Sequence, residues 1–303
     1  MITSDTAYGT DTEMPSLSTD DLDALRLFIH EECGIKLPPA KKIMLESRLR
    51  KRLRILGIGT FRQYRDYLFS DEGKRSELTH CIDAVTTNKT DFFREDSHFQ
   101  YLTSEALSAL IDAEGAGRGK RLAFWSAGCS TGEEPYTLAM VLSDYAETRP
   151  GFDFSILATD ISTRVLEKAR IGVYDQESVA PVPEALKSKY LMRSKDRSKD
   201  LVRIAPNLRR KIEFQKLNFM DNRFNIRDKV DVIFCRNVII YFDKPTQERL
   251  MNKFCRHLAP GGFLFLGHSE TLNSMNVPLI AVAPTIYRTA GRLFHLSRET
   301  DNA

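Results

Sequence analysis

The stretch Gly128-Cys-Ser-Thr-Gly132-Glu133-Glu134-Pro135 follows a short apolar run, Leu122–Trp125, and leads into a helical pattern over Tyr136–Ala146. Glycines at such a turn let a ligand approach the backbone, and a proline suits the start of a helix. Sites for dinucleotides or ATP leave that helix N-terminus open to phosphate. Here two carboxylates stand on it and no GxxxxGK[ST] occurs, so a cationic or hydroxyl-rich ligand fits better than a pyrophosphate. The competing reading is that Glu133 and Glu134 only complement the helix dipole. Asp160 ends a second apolar run, placed either for ribose hydroxyls or to cap the helix beginning Asp160-Ile-Ser-Thr. Asn218 closes a third run and Arg236-Asn237 a fourth. Polar residues at the ends of four successive candidate strands converge on one crevice. The segment Ala84–Glu95 adds Asn88, Thr90 and Arg94 beside Phe92 and Phe93, and reads equally as a linker that packs through its rings.

The elements that position these residues follow from periodicity. Short apolar runs at Leu122–Trp125, Phe154–Thr159, Ile212–Leu217, Val230–Phe234 and Phe263–Leu266 alternate with helical patterns at Ser162–Arg170 and Pro245–Leu258. That alternation predicts an α/β fold, a doubly wound, Rossmann-like parallel sheet. A terminal hairpin is expected from Thr285–Arg288 and Gly291–Leu296. Between Tyr174 and Ile212, the flanks Tyr190–Arg193 and Leu201–Ile204 surround a charged tip, which predicts a small antiparallel β flap at about residues 188–206. Before the sheet the texture is helical: Ser18 caps a helix carrying Leu22, Leu25 and Ile29, and Gly34 ends it. Further helices are expected at Pro39–Leu56, Phe61–Phe69 and Arg75–Val85. The expected organisation is a disordered N-terminus (1–17), an all-helical module (18–90), a linker (91–120) and the sheet domain (121–303).

Composition is that of a folded globular protein, 42% apolar and 28% charged with a net charge of +3. This balance does not announce a nucleic-acid or membrane partner. Five irregularly spaced cysteines support neither a zinc site nor a disulfide framework, so no metal is expected. With no signal peptide or membrane-span pattern, the expected location is the cytoplasm.

Together the stretches Thr86-Thr-Asn-Lys-Thr-Asp-Phe-Phe-Arg94, Ser130-Thr-Gly-Glu-Glu-Pro-Tyr136, Ala158-Thr-Asp-Ile161, Phe234-Cys-Arg-Asn-Val-Ile-Ile-Tyr-Phe-Asp243 and Gly267-His-Ser-Glu270 resemble the CheR family, chemotaxis receptor glutamate O-methyltransferases. The likeness runs from about residue 18 to 296. It implies an S-adenosylmethionine-dependent methyltransferase that esterifies glutamates on the cytoplasmic helices of receptors and releases S-adenosylhomocysteine. By this resemblance Asn88, Thr90, Arg94, Glu134, Asp160, Asn218, Phe219, Arg236 and Asn237 contact the cofactor, and Arg94 and Tyr241 lie nearest the transferred methyl. In some members the flap holds a peptide at the receptor's C-terminus. His268 is expected in a structural or rim role.

Residues 36–54 carry eight Lys/Arg against one glutamate, Glu46. With Leu45, Leu49 and Leu53 facing inward, Arg48, Lys51 and Arg52 are expected to share an exposed face, either docking a glutamate-rich helix or simply solvated. The run lacks the aromatic interleaving of a nucleic-acid site. Two other functions fit the sequence: an RNA or protein-amide N-methyltransferase, and a non-catalytic cofactor-binding regulator.

Overall fold

The computed structural model describes residues 16–86, 88–114, 121–196 and 198–290. Two compact units divide the chain at residues 86/87, with Glu32–Lys36 grouped with the second. The helices of the first part are α1 (Thr19–Cys33), α2 (Lys42–Leu56), α3 (Phe61–Phe69), α4 (Asp71–Ser76) and α5 (Leu78–Val85). Ser18 caps α1 as expected, its hydroxyl accepting from the Asp21 N–H at 3.1 Å. Gly57 closes α2 in the left-handed region, where a side chain would be strained. Leu45, Leu49 and Leu53 form the buried stripe of α2. Pro39–Lys41 is a separate 3₁₀ turn, and the helix expected at 75–85 is two helices broken at Glu77. The break turns the Glu77 carboxylate inward, where Arg52 donates to both its oxygens (2.9 and 2.6 Å) and Tyr64 donates at 3.0 Å.

The exposed basic face is accordingly smaller than the periodicity suggests. Arg52 is committed to Glu77, and Arg48 donates to the carbonyls of Ala84, Val85 and Thr86 at the end of α5 (3.0–3.3 Å). The unpaired carbonyls at a helix end attract such a cation. Lys51 is exposed, as is Arg54 one turn on.

In the second unit, α6 (Ser97–Tyr101), a π-helical turn (Leu102–Ala106) and α7 (Leu107–Glu114) precede the sheet. The segment expected as a linker is thus a helix, burying Phe99, Leu102, Ala106 and Leu107 in the core. Then follow β1 (Leu122–Ala127), α8 (Glu133–Glu147), β2 (Phe154–Asp160), α9 (Thr163–Ile171), β3 (Val173–Asp175), α10 (Glu184–Tyr190), β4 (Leu191–Arg193), β5 (Leu201–Ile204), α11 (Pro206–Arg209), β6 (Ile212–Lys216), β7 (Val230–Cys235), α12 (Lys244–His257), β8 (Leu258–Leu266), β9 (Leu279–Ala283) and β10 (Ile286–Thr289). Among the described residues the main sheet has seven strands in the order β6-β2-β1-β7-β8-β10-β9. The first five are parallel, and β10 runs antiparallel to both its neighbours, β8 and β9.

Both faces are buried, as a parallel sheet requires. Along β7, Val232 and Phe234 enter one cluster with Phe99 and Phe265, while Ile233 and Cys235 enter the other with Trp125 and Phe254 of α12. Among the described residues the terminal hairpin is β9–β10; residues 291–296, expected as the second run of the hairpin, lie outside the described residues, as do 1–15 of the N-terminal stretch expected to be disordered. The flap forms as expected but has three strands, β3-β5-β4, the extra one too short to show alternation. No described helix is long and apolar enough to cross a membrane.

Candidate active site

The strand order reverses between β1 and β7, so a crevice opens beyond their carboxyl ends. Asp160 ends β2 and is buried; its oxygens accept from the N–H groups of Ser130 and Ser162, both at 2.9 Å. Ser162 itself caps α9, so the alternative reading of Asp160 as that cap does not hold. The loop Gly128–Gly132 is tightly packed: Gly132 has φ 100°, and a Cβ there would come within 2.8 Å of the Tyr174 hydroxyl. Tyr174 donates to the Thr131 carbonyl at 2.7 Å. The Ser130 hydroxyl donates to the Asn88 carbonyl at 3.0 Å, bringing the segment after residue 87 to the same loop.

The two glutamates at the start of α8 diverge. Glu133 accepts from the Thr131 hydroxyl and faces the loop. Glu134 accepts from Ser126 at 2.7 Å and pairs with Arg236 at 3.4 Å. Burial pushes the carboxyls of both above the usual carboxylate range, partly offset for Glu134 by Arg236. Arg236 also meets Glu95 at 3.1 Å and donates to the Arg94 carbonyl, and its guanidinium lies 5.3 Å from the Phe99 ring centre. Burial would raise Glu95, but Arg236, the His268 N–H and the Asn237 amide together hold it below the usual range. The Arg94 guanidinium donates to the Lys89 carbonyl at 3.1 Å.

Of the residues singled out from sequence, Asn88, Arg94, Glu134, Asp160, Arg236 and Asn237 are joined to this region by bonds. Thr90 follows Asn88 on the same segment. The Asn218 amide is committed differently, donating to the Glu32 carbonyl at 2.6 Å, and the Tyr241 backbone carbonyl accepts from the Lys36 N–H at 2.8 Å. Phe219 is buried against Phe254, ring centres 5.6 Å apart. Sequence reasoning gave no role to Glu95, His98 or Glu270. Glu95 and Glu270 each stood inside a quoted motif, but their partners are far along the chain.

Glu95, His98 and His268 bring potential metal-ligating atoms within 4.8 Å of one another. A dication among them would sit against Arg236, which already neutralises Glu95, so the set fits a hydrogen-bonded cluster better than a metal centre. The His98 Nε2 lies 3.0 Å from the Thr285 hydroxyl, and its Nδ1 lies 3.6 Å from Glu95. Burial, then Arg236 and His268, against the pull of Glu95, lower His98 from 6.5 to about 4. The unfolded chain takes up this proton near pH 6.5 and the folded chain near pH 4, so stability falls as pH drops through that window. Urea unfolding should show the protein losing about 2–3 kcal/mol more than a His98→Asn variant between pH 7 and pH 4.5. Parallel curves for the two would remove His98 as the responsible group.

The carboxylates at the strand ends and at the start of α8 supply acceptors for hydroxyls and attraction for a cation, and the buried Arg236 guanidinium is already bridged to Glu134 and to Glu95. This donor set fits an S-adenosyl group and resists a pyrophosphate. Comparison with known proteins agrees. Residues 88–287 match the family described as CheR methyltransferase, SAM binding domain, and residues 20–86 match its all-alpha domain. A chemotaxis protein methyltransferase of Borreliella burgdorferi is 40% identical over 90% of this chain and 95% of its own. Those of Klebsiella aerogenes (39% identical, 86% of each chain) and Escherichia coli (37% identical, 91% of this chain and 93% of that) are similar along nearly their whole lengths. A fold with its ligand crevice at the β1/β7 switch, matched by both domain descriptions in order, places this chain in the CheR methyltransferase family.

Proposed function

We propose that the protein transfers the methyl group of S-adenosylmethionine to glutamate side chains on the cytoplasmic helices of chemotaxis receptors, forming methyl esters in the cytoplasm. The observation that carries the reading is the bridge from the buried Arg236, just past the end of β7, to Glu134 and Glu95, which fastens the segment bearing Arg94 to the strand ends. S-adenosylmethionine, when bound, supplies an electrophilic methyl. Asp160 and Glu134 would hold its hydroxyl and cationic parts, with Asn88, Thr90, Asn218, Phe219, Arg236 and Asn237 completing the pocket.

The acceptor needs no general base, since a glutamate with a pKa of about 4.3 is already ionised at neutral pH. Acceleration then comes from alignment and exclusion of water, which together are worth roughly 7–11 kcal/mol in well-oriented systems. Arg94 orients the incoming carboxylate through its planar fork, and Tyr241 lines the approach. Lys51 and Arg54 on α2 provide the exposed charge for docking an acidic helix, while Arg48 and Arg52 shape that helix from within. The three-stranded flap is the candidate site for a receptor C-terminal peptide.

The deciding experiment supplies labelled S-adenosylmethionine and a cytoplasmic receptor fragment, then treats the labelled product with alkali. Label released by base is an ester, as proposed. Base-stable label would replace this reading with amide or nucleic-acid N-methylation, and cofactor binding without any transfer would replace it with a regulator.

A further inference from the structure

Asn237 is one of the few residues other than glycine with a positive φ, at 58°. Asparagine tolerates that region better than most residues, yet something must hold it there. Two carboxylates do so, at different atoms. Glu270, buried between β8 and β9, accepts from the Asn237 N–H at 2.9 Å and from Gly267 at 2.7 Å through one oxygen. Its other oxygen accepts from Ile239 at 2.8 Å and Ile240 at 3.3 Å. Glu95 accepts from the Asn237 side-chain amide at 3.3 Å, from the His268 N–H at 3.2 Å, and pairs with Arg236. Gly267 completes the fit, since a Cβ there would lie 2.5 Å from the Asn237 amide nitrogen.

We propose that Glu95 and Glu270 are positioning residues that fix the Asn237 backbone and amide in the one conformation presenting Arg236 and Asn237 to the S-adenosyl group. This rests on the cofactor reading above. Neither carboxylate is assigned to touch the cofactor. Glu270 ties the loop after β7 to the loop after β8, and Glu95 ties the segment 88–95 to both.

Glu270→Gln tests the proposal with little change in shape. A glutamine must turn an NH₂ donor toward two N–H donors on whichever side it chooses. Amide exchange at Asn237, Ile239 and Ile240 should quicken at least 10-fold in this variant, and the affinity for S-adenosylhomocysteine, followed by calorimetry, should fall at least 10-fold. Glu95→Gln should weaken binding in the same direction. A core truncation, Leu250→Ala, controls for lost stability and should alter affinity less than 3-fold. Unchanged exchange at 237–240 would overturn the proposal. So would an unchanged affinity for S-adenosylhomocysteine in a Glu270→Gln variant whose exchange has quickened, which would separate the held loop from the cofactor. If the unaltered protein binds no S-adenosylhomocysteine, the cofactor reading fails, and the exchange rates still decide whether the two carboxylates hold the loop.

Discussion

Replacing Arg236 by methionine should lower the free energy of unfolding at pH 7 by about 3–5 kcal/mol, the usual cost of stranding a buried charge. The side chain is 2% exposed and serves Glu95, Glu134 and the Arg94 carbonyl together. Methionine fills similar space against Phe99 and Phe234 but leaves two carboxylates without a cation. Both would respond by holding protons to higher pH, Glu134 from a starting point that burial has already raised. The penalty therefore belongs to their ionised forms and should shrink as pH falls through the raised values. Urea unfolding at pH 7 and pH 5 checks both parts. A loss below about 1 kcal/mol at pH 7 would mean that the carboxylates find water or other donors. Arg236→Lys should fall between, because one ammonium cannot reach three acceptors in the geometry of a planar fork.

Arg94→Ala should reduce kcat for methyl transfer by about 100–1000-fold, the range seen when one fixed donor is removed from a reacting oxygen. KM for the cofactor should move much less, since the Arg94 backbone stays fastened through Arg236. Arg94→Lys should recover only part of the rate, because it keeps the charge and loses the paired donors. Initial rates with varied cofactor and varied receptor fragment separate these effects. An equal loss in kcat and in cofactor affinity for Arg94→Ala would move Arg94 from orienting the acceptor to holding the cofactor.

Much of the fold was written in local patterns. Helix α3 falls on the residues its periodicity marks, and β1, β2, β6 and β7 lie within a few residues of their apolar runs. Where the pattern is interrupted, the reading failed. A five-residue helix followed by a π-helical turn shifts the 3.6-residue period, so the helix through 97–114 looked like a linker. Side-chain commitments were the least legible. The basic run in α2 shows eight cations but not that Arg52 is bound to Glu77, 25 residues on, or Arg48 to the end of α5. Glu95 meets Arg236 across 141 residues, and no local spacing encodes that distance.

The strand order also has a consequence in time. β1 is central, with β2 as one neighbour and β7 as the other, and the Ala123 N–H donates to Asp231, 108 residues later. On a ribosome adding about 5–20 residues per second, one edge of β1 waits roughly 5–20 s for its partner to be made. During that interval an apolar strand stands open to other chains, the condition under which aggregation competes with folding. Slower translation should lower the soluble yield through this edge, and earlier chaperone binding to residues 122–127 should restore it.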